Sequence, residues 1–322
     1  MSTSPTRVLI LAGGLSHERD VSLRSGRRVG AALQEAGFAV HVRDIDAALL
    51  ATIQELQPDI VWPLVHGAAG EDGSLQDLLE LLNVPYIGTA ADGCRLASRK
   101  SVAKSVLRAH DIPTPHAAVV PQTLVRQLGP AGILAAIQDS LGLPLVVKPD
   151  DGGSALGVTI VRDAAALPGA MVACYAYSRD ALLEQLVEGI EVAISVVDTG
   201  HGPKALPPVE IVTDGPYDYD ARYNAGQTEF FTPARLSDDD ADRARQCAVR
   251  VHEVLGLRHL SRTDLIIDKQ GTPWVLDVNV APGMTETSLF PQAAAEGPGQ
   301  SVYADIVRAA LTQGSDPSLP RP

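Results

Sequence analysis

The residues best suited to chemistry lie in two apolar runs, "TDLIID" and "WVLDVN". Asp277 and Asn279 stand two apart in the second run, and Asp264 lies in the first. In a strand, residues i and i+2 point to the same face, so Asp277 and Asn279 would aim two oxygens at one place. The linker "DKQGT" places a turn near Gln270-Gly271, and residues facing across such a hairpin converge. Two carboxylates and an amide carbonyl make an all-oxygen set, suited to Mg²⁺ holding phosphates; zinc would call for His or Cys. The competing reading is a solvated hairpin with scattered acids. The apolar neighbours weigh against it, because a buried carboxylate is costly unless paired or metal-bound.

A second stretch, "KPDDGGSALGV", sets Lys148 ahead of Gly152-Gly153 and Gly157. Glycines in this arrangement can lay backbone N–H groups over phosphates. The lysine precedes the glycines, so this is not a Walker A loop, and no GxGxxG follows the first strand. An ordinary Gly-rich hairpin turn is the alternative. Asp150 and Asp151 would repel phosphate if aimed inward, so they are expected to face solvent or a cation. In "EQLVEGIEV", Glu184 and Glu191 flank a short backbone segment that could meet an adenine edge while a carboxylate takes the ribose. A charged helix end is the alternative there.

The elements that must position these residues read as follows. "RVLILAGG" is a buried strand at Arg7–Leu11 running into a Gly turn, and "DVSLRSGRRVGAALQEAG" a helix ending at Gly37. "FAVHVRDID" and "PDIVWPLVHG" are the second and third strands, and "GSLQDLLELLNVPYIG" a helix and a further strand. Alternating strands and helices indicate a parallel α/β unit, with ligands beyond the strand ends, where Glu18, His66 and Glu71 lie. "SRKSVAKSVLRAHDIPTP" is a helix stopped near Pro113, and strands at Leu145–Lys148 and Val158–Val161 form a hairpin. "ALLEQLVEGIEVAISVVD" holds a short apolar stretch, a Gly turn and a strand; "SDDDADRARQCAVRVHEVLG" is a well-capped helix. The polar, Tyr-rich segment from Pro207 to Arg235 reads as a long ordered loop, and the Pro-rich end from Pro317 as frayed.

The 322 residues suffice for roughly two or three domains. A net charge of -13 argues against non-specific nucleic acid or membrane binding, so any anion site must build its field locally. Three dispersed cysteines without a CxxC fit a reducing compartment. No apolar run approaches ~20 residues, and the N-terminus lacks a signal-peptide pattern. A cytoplasmic location is expected.

Taken together, the blocks "LAGGLSHERDVSLRSG", "HGAAGEDGSLQDLLELLNVPYIGT", "YDYDARYNAGQTEFFTPARL" and "VNVAPGMTETSLFP" resemble the D-alanine–D-alanine ligase family of the ATP-grasp superfamily, in its order and spacing. The resemblance implies an α/β fold, α+β in its ATP-binding part: an ATP-grasp fold with an N-terminal Rossmann-like parallel domain. It implies domains at 1–91, 92–181 and 182–322. It implies ATP with two Mg²⁺ ions (Mn²⁺ as a substitute) and D-alanine as partners, a homodimer, and a dipeptide product for peptidoglycan made through an acyl phosphate. By the resemblance, Lys100 and Lys148 contact ATP phosphates, Glu184 the adenine amino group, Val187 the ring through its main chain, and Glu191 the ribose. Asp264, Asp277 and Asn279 would hold the metal. Arg262 and the N–H of Gly283 would face the oxyanion. Glu18 would take the first ammonium, with His66 alongside; Ser154 and Tyr223 would join Glu18 in a network closing the site. Ser288, with the main chain at Leu289, would bind the second carboxylate, assisted by Arg222, which is also expected to serve ATP.

The chain departs from the family at several positions. Asp277 replaces the usual Glu, Arg222 the usual Lys, and Ala155 a common Ser. Arg99 stands where an acid often precedes the Lys, Asp150-Asp151-Gly152 where a basic residue is common, and Gln185 where Lys is frequent. These departures leave two further readings: a ligase for other D-amino acids in secondary metabolism, or a weakly active ATP-binding paralogue. The absence of His between Lys204 and Arg250 favours an amine as second substrate over a hydroxy acid.

Overall fold

The computed structural model describes residues 5–213 and 228–313. The first unit runs β1 (Arg7–Leu11), α1 (Arg19–Glu35), β2 (Ala39–Arg43), α2 (Leu49–Leu56), β3 (Ile60–Pro63), α3 (Ala68–Glu71) and α4 (Ser74–Leu81). Its three strands form a parallel sheet in the order β2-β1-β3. β3 stops at Pro63, three residues before His66, and the strand expected near Tyr86 is only an isolated parallel bridge to Val61. The backbone there is too short, between Pro85 and Gly88, to extend the ladder.

α5 (Ala91–Ser98) and α6 (Lys100–Ala109) lead into β4 (Ala117–Pro121), α7 (Gln122–Leu128) and α8 (Pro130–Leu141). Then come β5 (Leu145–Pro149), β6 (Thr159–Val161), α9 (Leu167–Tyr175) and β7 (Asp180–Gln185). β5 and β6 pair as the expected hairpin within an antiparallel sheet of order β4-β7-β5-β6. Its core, including Leu145, Val147, Leu183 and Met171, is separate from that of the first unit.

β8 (Ile190–Val197), β9 (Lys204–Ala205), β10 (Val209–Thr213), β11 (Thr228–Phe231), α10 (Asp238–Val254), β12 (Leu260–Ile267) and β13 (Pro273–Asn279) follow, then α11 (Leu289–Ala295) and α12 (Ser301–Gln313). The strands make an antiparallel sheet of order β11-β10-β8-β12-β13, with β9 on β8. The expected loop from Pro207 to Arg235 is corrected here. Its ends are the paired strands β10 and β11, because "VEIVT" and "TEFF" carry enough apolar and β-branched residues to extend the sheet. Glu184 lies on a strand, not a helix end, and β7 and β8 belong to different sheets although only Leu186 to Gly189 separates them.

β8 is buried on both faces, so its side chains read as one apolar run rather than an alternation. Val192, Ile194 and Val196 pack with α10, while Ala193 and Val197 face the core of the first unit. That second core also holds Trp62 of β3, Phe290 of α11 and Tyr303 of α12, with the Trp62 and Tyr303 rings edge-on at 6.2 Å. The first unit is thus packed against β8, α11 and α12 through one shared core.

Candidate active site

Arg262 and Asp264 alternate on β12 toward the side of β8 that carries Ala193 and Ser195. Across the hairpin, Arg262 pairs with Asn279 and Asp264 with Asp277. Asp264, Asp277 and Asn279 therefore share one face, by way of a bulge between Asp264 and Leu265, where the register shifts and Leu276 is left over. Val275 packs in the apolar core with Val278 and Val280, although it differs from Asp277 by two. Without the bulge, Val275, Asp277 and Asn279 would share a face. The extra residue keeps the two polar side chains opposite Arg262 and Asp264 while Val275 stays inside.

Arg262 donates two parallel hydrogen bonds to Asp264, Nε to Oδ1 at 2.7 Å and a terminal nitrogen to Oδ2 at 2.9 Å. Both residues are buried, so the pair is held in place and largely shielded from solvent. The amide oxygen of Asn279 is buried and lacks a hydrogen-bond partner among the described residues. An orphaned oxygen beside two facing carboxylates fits a hard cation. Among the described residues no group of three His, Cys, Asp or Glu side chains forms; the oxygens this face presents are those of Asp264, Asp277 and Asn279.

On one side of this face lies a lysine cluster. The Lys100 ammonium donates to the Gly152 carbonyl at 2.7 Å and lies 3.5 Å from Asp277. Lys148, at the end of β5, contacts Glu184 at 2.5 Å and donates to the carbonyl of the bulged Leu276 at 3.2 Å. Glu184 is also contacted at 2.9 Å by Lys104, which the sequence reading passed over. The available signal was its i, i+4 spacing from Lys100 on α6. Burial alone would raise the Glu184 carboxyl, but the Lys148 and Lys104 ammoniums outweigh it and hold the group below its ordinary range. Burial lowers Lys104 to about 8 despite Glu184. Val187 is half-buried beyond β7, and Glu191 on β8 lies opposite Ile266 of β12.

Asp150 is fully buried and faces a cation: two Arg99 nitrogens donate to it at 3.0 and 3.1 Å. It also accepts from the Ser101 N–H at 2.7 Å, capping the start of α6. Asp151 is exposed.

On the other side lies an open cleft lined by Glu18, His66, Glu71, Ser154, Arg262, Asn279, Gly283, Ser288 and Leu289 among others. Glu18 occupies the N-cap of α1, yet its side chain does not cap the helix. It accepts instead from the Ser154 hydroxyl, from a loop in which Ser154 and Ala155 both adopt positive φ. His66 sits between Glu71, 3.7 Å from its Nδ1, and the Ser25 hydroxyl, 3.3 Å from its Nε2. Burial raises the Glu71 carboxyl and nearby Glu18 adds to this, while the His66 contact opposes it. Ser25 also accepts from the Met284 N–H at 2.9 Å, tying α1 to the loop after β13. A Cβ at Gly283 would stand 2.9 Å from the Ser288 hydroxyl oxygen, so a larger residue there would have to displace that hydroxyl. Ser288, the N-cap residue of α11, accepts from the Thr285 N–H at 3.0 Å. Arg222 and Tyr223 lie outside the described residues.

The chain matches the family description "D-ala D-ala ligase C-terminus" over residues 106–311 and "D-ala D-ala ligase N-terminus" over residues 47–89. It belongs to the D-alanine–D-alanine ligase family. A D-alanine–D-alanine ligase of Gloeobacter violaceus is 42% identical over 293 residues, covering 89% of this chain and 93% of the relative. A crystal structure of D-alanine–D-alanine ligase from Bacillus anthracis superposes with a TM-score of 0.82 at 28% identity, covering 96% of this chain and 98% of that one. The same Bacillus anthracis enzyme complexed with ATP gives 0.79 at 25% identity, covering 96% and 98%. The ATP-grasp architecture expected of the family is the one described above. In this ligase fold the lysine cluster lies between the four- and six-stranded sheets, and the second cleft lies under the first unit.

Proposed function

We propose that the chain is the ATP-dependent ligase that joins two D-alanines into D-alanyl-D-alanine for cell-wall synthesis. The observation that carries this reading is the polar face of β12–β13. Arg262 and Asn279 line the amino-acid cleft, and Asp264 and Asp277 on the same face lead to Lys100 and the lysine cluster. One face thus borders both a place for an amino acid and a place for polyphosphate, which phosphoryl transfer to a carboxylate requires.

ATP enters as substrate. Lys100 and Lys148 supply charge to its phosphates, Glu184 and the main chain at Val187 meet the base, and Glu191 takes the ribose. Asp264, Asp277 and Asn279 are the residues that would hold Mg²⁺, which supplies charge neutralisation at phosphate oxygens. Glu18, oriented by Ser154, holds the first ammonium beside His66. Arg262, locked by Asp264, faces the negative charge that develops at the carbonyl, and the N–H of Gly283 serves as a second donor. Ser288 and the backbone at Leu289 receive the second carboxylate, with Arg222 assisting; Tyr223 closes the site over Glu18. We place the division between the second and third units between Gln185 and Ile190, after β7, rather than at 181. No described helix is long and apolar enough to cross a membrane. A cytoplasmic homodimer is the assembly this reading expects.

The test is phosphate release from ATP with Mg²⁺, with and without D-alanine, with product mass. D-alanine-dependent release yielding D-alanyl-D-alanine supports the reading. Better turnover with another D-amino acid, across a panel, would replace it.

A further inference from the structure

Lys104 is the most enclosed charged side chain of the lysine cluster, and none of the roles above uses it. Its side chain is 2% exposed, against 9% for Lys148 and 10% for Lys100. Its ammonium donates to the Thr114 hydroxyl at 2.8 Å and the Val275 carbonyl at 3.0 Å, and it touches Glu184 at 2.9 Å. Thr114 and Val275 occupy two of the three N–H groups of the ammonium. The third contact is one of charge and proximity, since Glu184 Oε2 has no aligned hydrogen-bond donor among the described residues.

Lys148 differs. It has two acceptors among the described residues, Glu184 Oε1 and the Leu276 carbonyl, and lies at the more open rim. The two lysines take different oxygens of one carboxylate. Two ammoniums around one carboxylate leave an excess positive charge, which an incoming phosphate can balance. If Lys148 were the sole counter-ion, engaging phosphate would strip Glu184 of its partner in a buried place. An unpaired buried carboxylate is strongly unfavourable.

Resting on the nucleotide reading above, we infer that Lys104 is a positioning residue: it remains the counter-ion of Glu184 while the Lys148 ammonium turns from Glu184 to a nucleotide phosphate. Its grip on Thr114 and Val275 fixes the ammonium, so Glu184 stays in place and charged during the exchange. Removing Lys104 forces Lys148 to serve both groups, and the nucleotide loses the competition.

The experiment uses the full chain and reads ATP affinity by calorimetry alongside separate KM values for ATP and D-alanine. K104M is expected to weaken ATP about tenfold or more while D-alanine KM changes less than about twofold. K104R, which keeps the charge, should recover part of the loss. K104M/E184Q should bind ATP better than K104M, because an amide needs no counter-ion and its oxygen can still accept from an adenine amino group. The double variant removes one positive and one negative charge together, so the cluster keeps its native net charge and the test stays available should K104M fail to fold. Folded K104M with native ATP affinity, equal losses for both substrates, or K104M/E184Q binding ATP more than about tenfold below E184Q alone would each overturn the role of Lys104. Failure of the native chain to bind ATP would instead overturn the nucleotide reading itself.

Discussion

At the end of the β12–β13 face proposed for the nucleotide, Lys100, Lys104 and Lys148 face Glu184 and Asp277. At the end proposed for the amino acids, burial raises the Glu71 carboxyl, nearby Glu18 adds to this, and His66 lies 3.7 Å from Glu71. Arg262 stands between the ends but is already matched by Asp264. One end therefore carries surplus positive charge and the other surplus negative charge. A polyphosphate and an ammonium are the ligands that would balance them. In a chain of net charge -13, the positive end exists only because lysines of α6 and β5 are brought together by folding.

The largest effect should come from the residue between the ends. R262M leaves Asp264 buried without its partner and removes the proposed oxyanion donor. D-alanine-dependent phosphate release is expected to fall by about a thousandfold or more, with a lower thermal midpoint. Near-native turnover would show that Arg262 serves the fold alone.

E18Q tests whether the ends are separable. It should lower kcat/KM for D-alanine by about a hundredfold while ATP affinity stays within about twofold, because a charged partner of the ammonium is lost. Equal losses for both ligands would break the comparison. G283A acts at the same end through space: the new methyl meets the Ser288 hydroxyl. An increase of about tenfold in D-alanine KM, with ATP affinity unchanged, is expected from kinetics at varied D-alanine.

D277E lengthens the carboxylate near Lys100 and restores the side chain usual in the family. A change in kcat of about threefold, together with a shifted Mg²⁺ requirement in a metal titration, is expected. An unchanged metal titration would remove Asp277 from the metal set.

The smallest effect concerns Glu71, whose carboxyl is raised by burial. A raised acid contributes stability below its ordinary pKa, and that contribution is lost as pH climbs through its folded value. E71Q keeps an oxygen for the Gly67 N–H and carries no charge. Thermal melts should therefore favour E71Q over the native chain at pH 8 relative to pH 4. The reverse trend would mean that Glu71 is compensated in the fold.

Much of this was legible in the chain itself, and particular residues show where legibility ended. The i, i+2 placement of Asp277 and Asn279, the facing of Asp264 and Asp277, and the turn at Gly271 all depend on local periodicity. The same holds for β1, for the β5–β6 hairpin and for Ser237 capping α10, where its hydroxyl accepts from the Asp240 N–H. Lys104 was missed because an i, i+4 lysine pair on an amphipathic helix looks like a solvated face. Only its packing against Thr114 and β13 makes it a buried group. Two departures from the family, Arg99 and Asp150, are one feature in space: basic and acidic partners in direct contact.

By itself, the sequence determined which short segments extend, coil and turn, and which oxygens share a strand face. Those properties follow from backbone period and turn stereochemistry over a few residues. The tertiary structure alone decided that Glu18 meets Ser154 rather than its own helix, that Leu276 bulges so Val275 can stay in the core, and that Glu184 is held by Lys104 and Lys148. These contacts join residues far apart in the chain or depend on which face a core claims. Their energies come from burial and charge pairing in the assembled interior, where no local spacing can specify the partner.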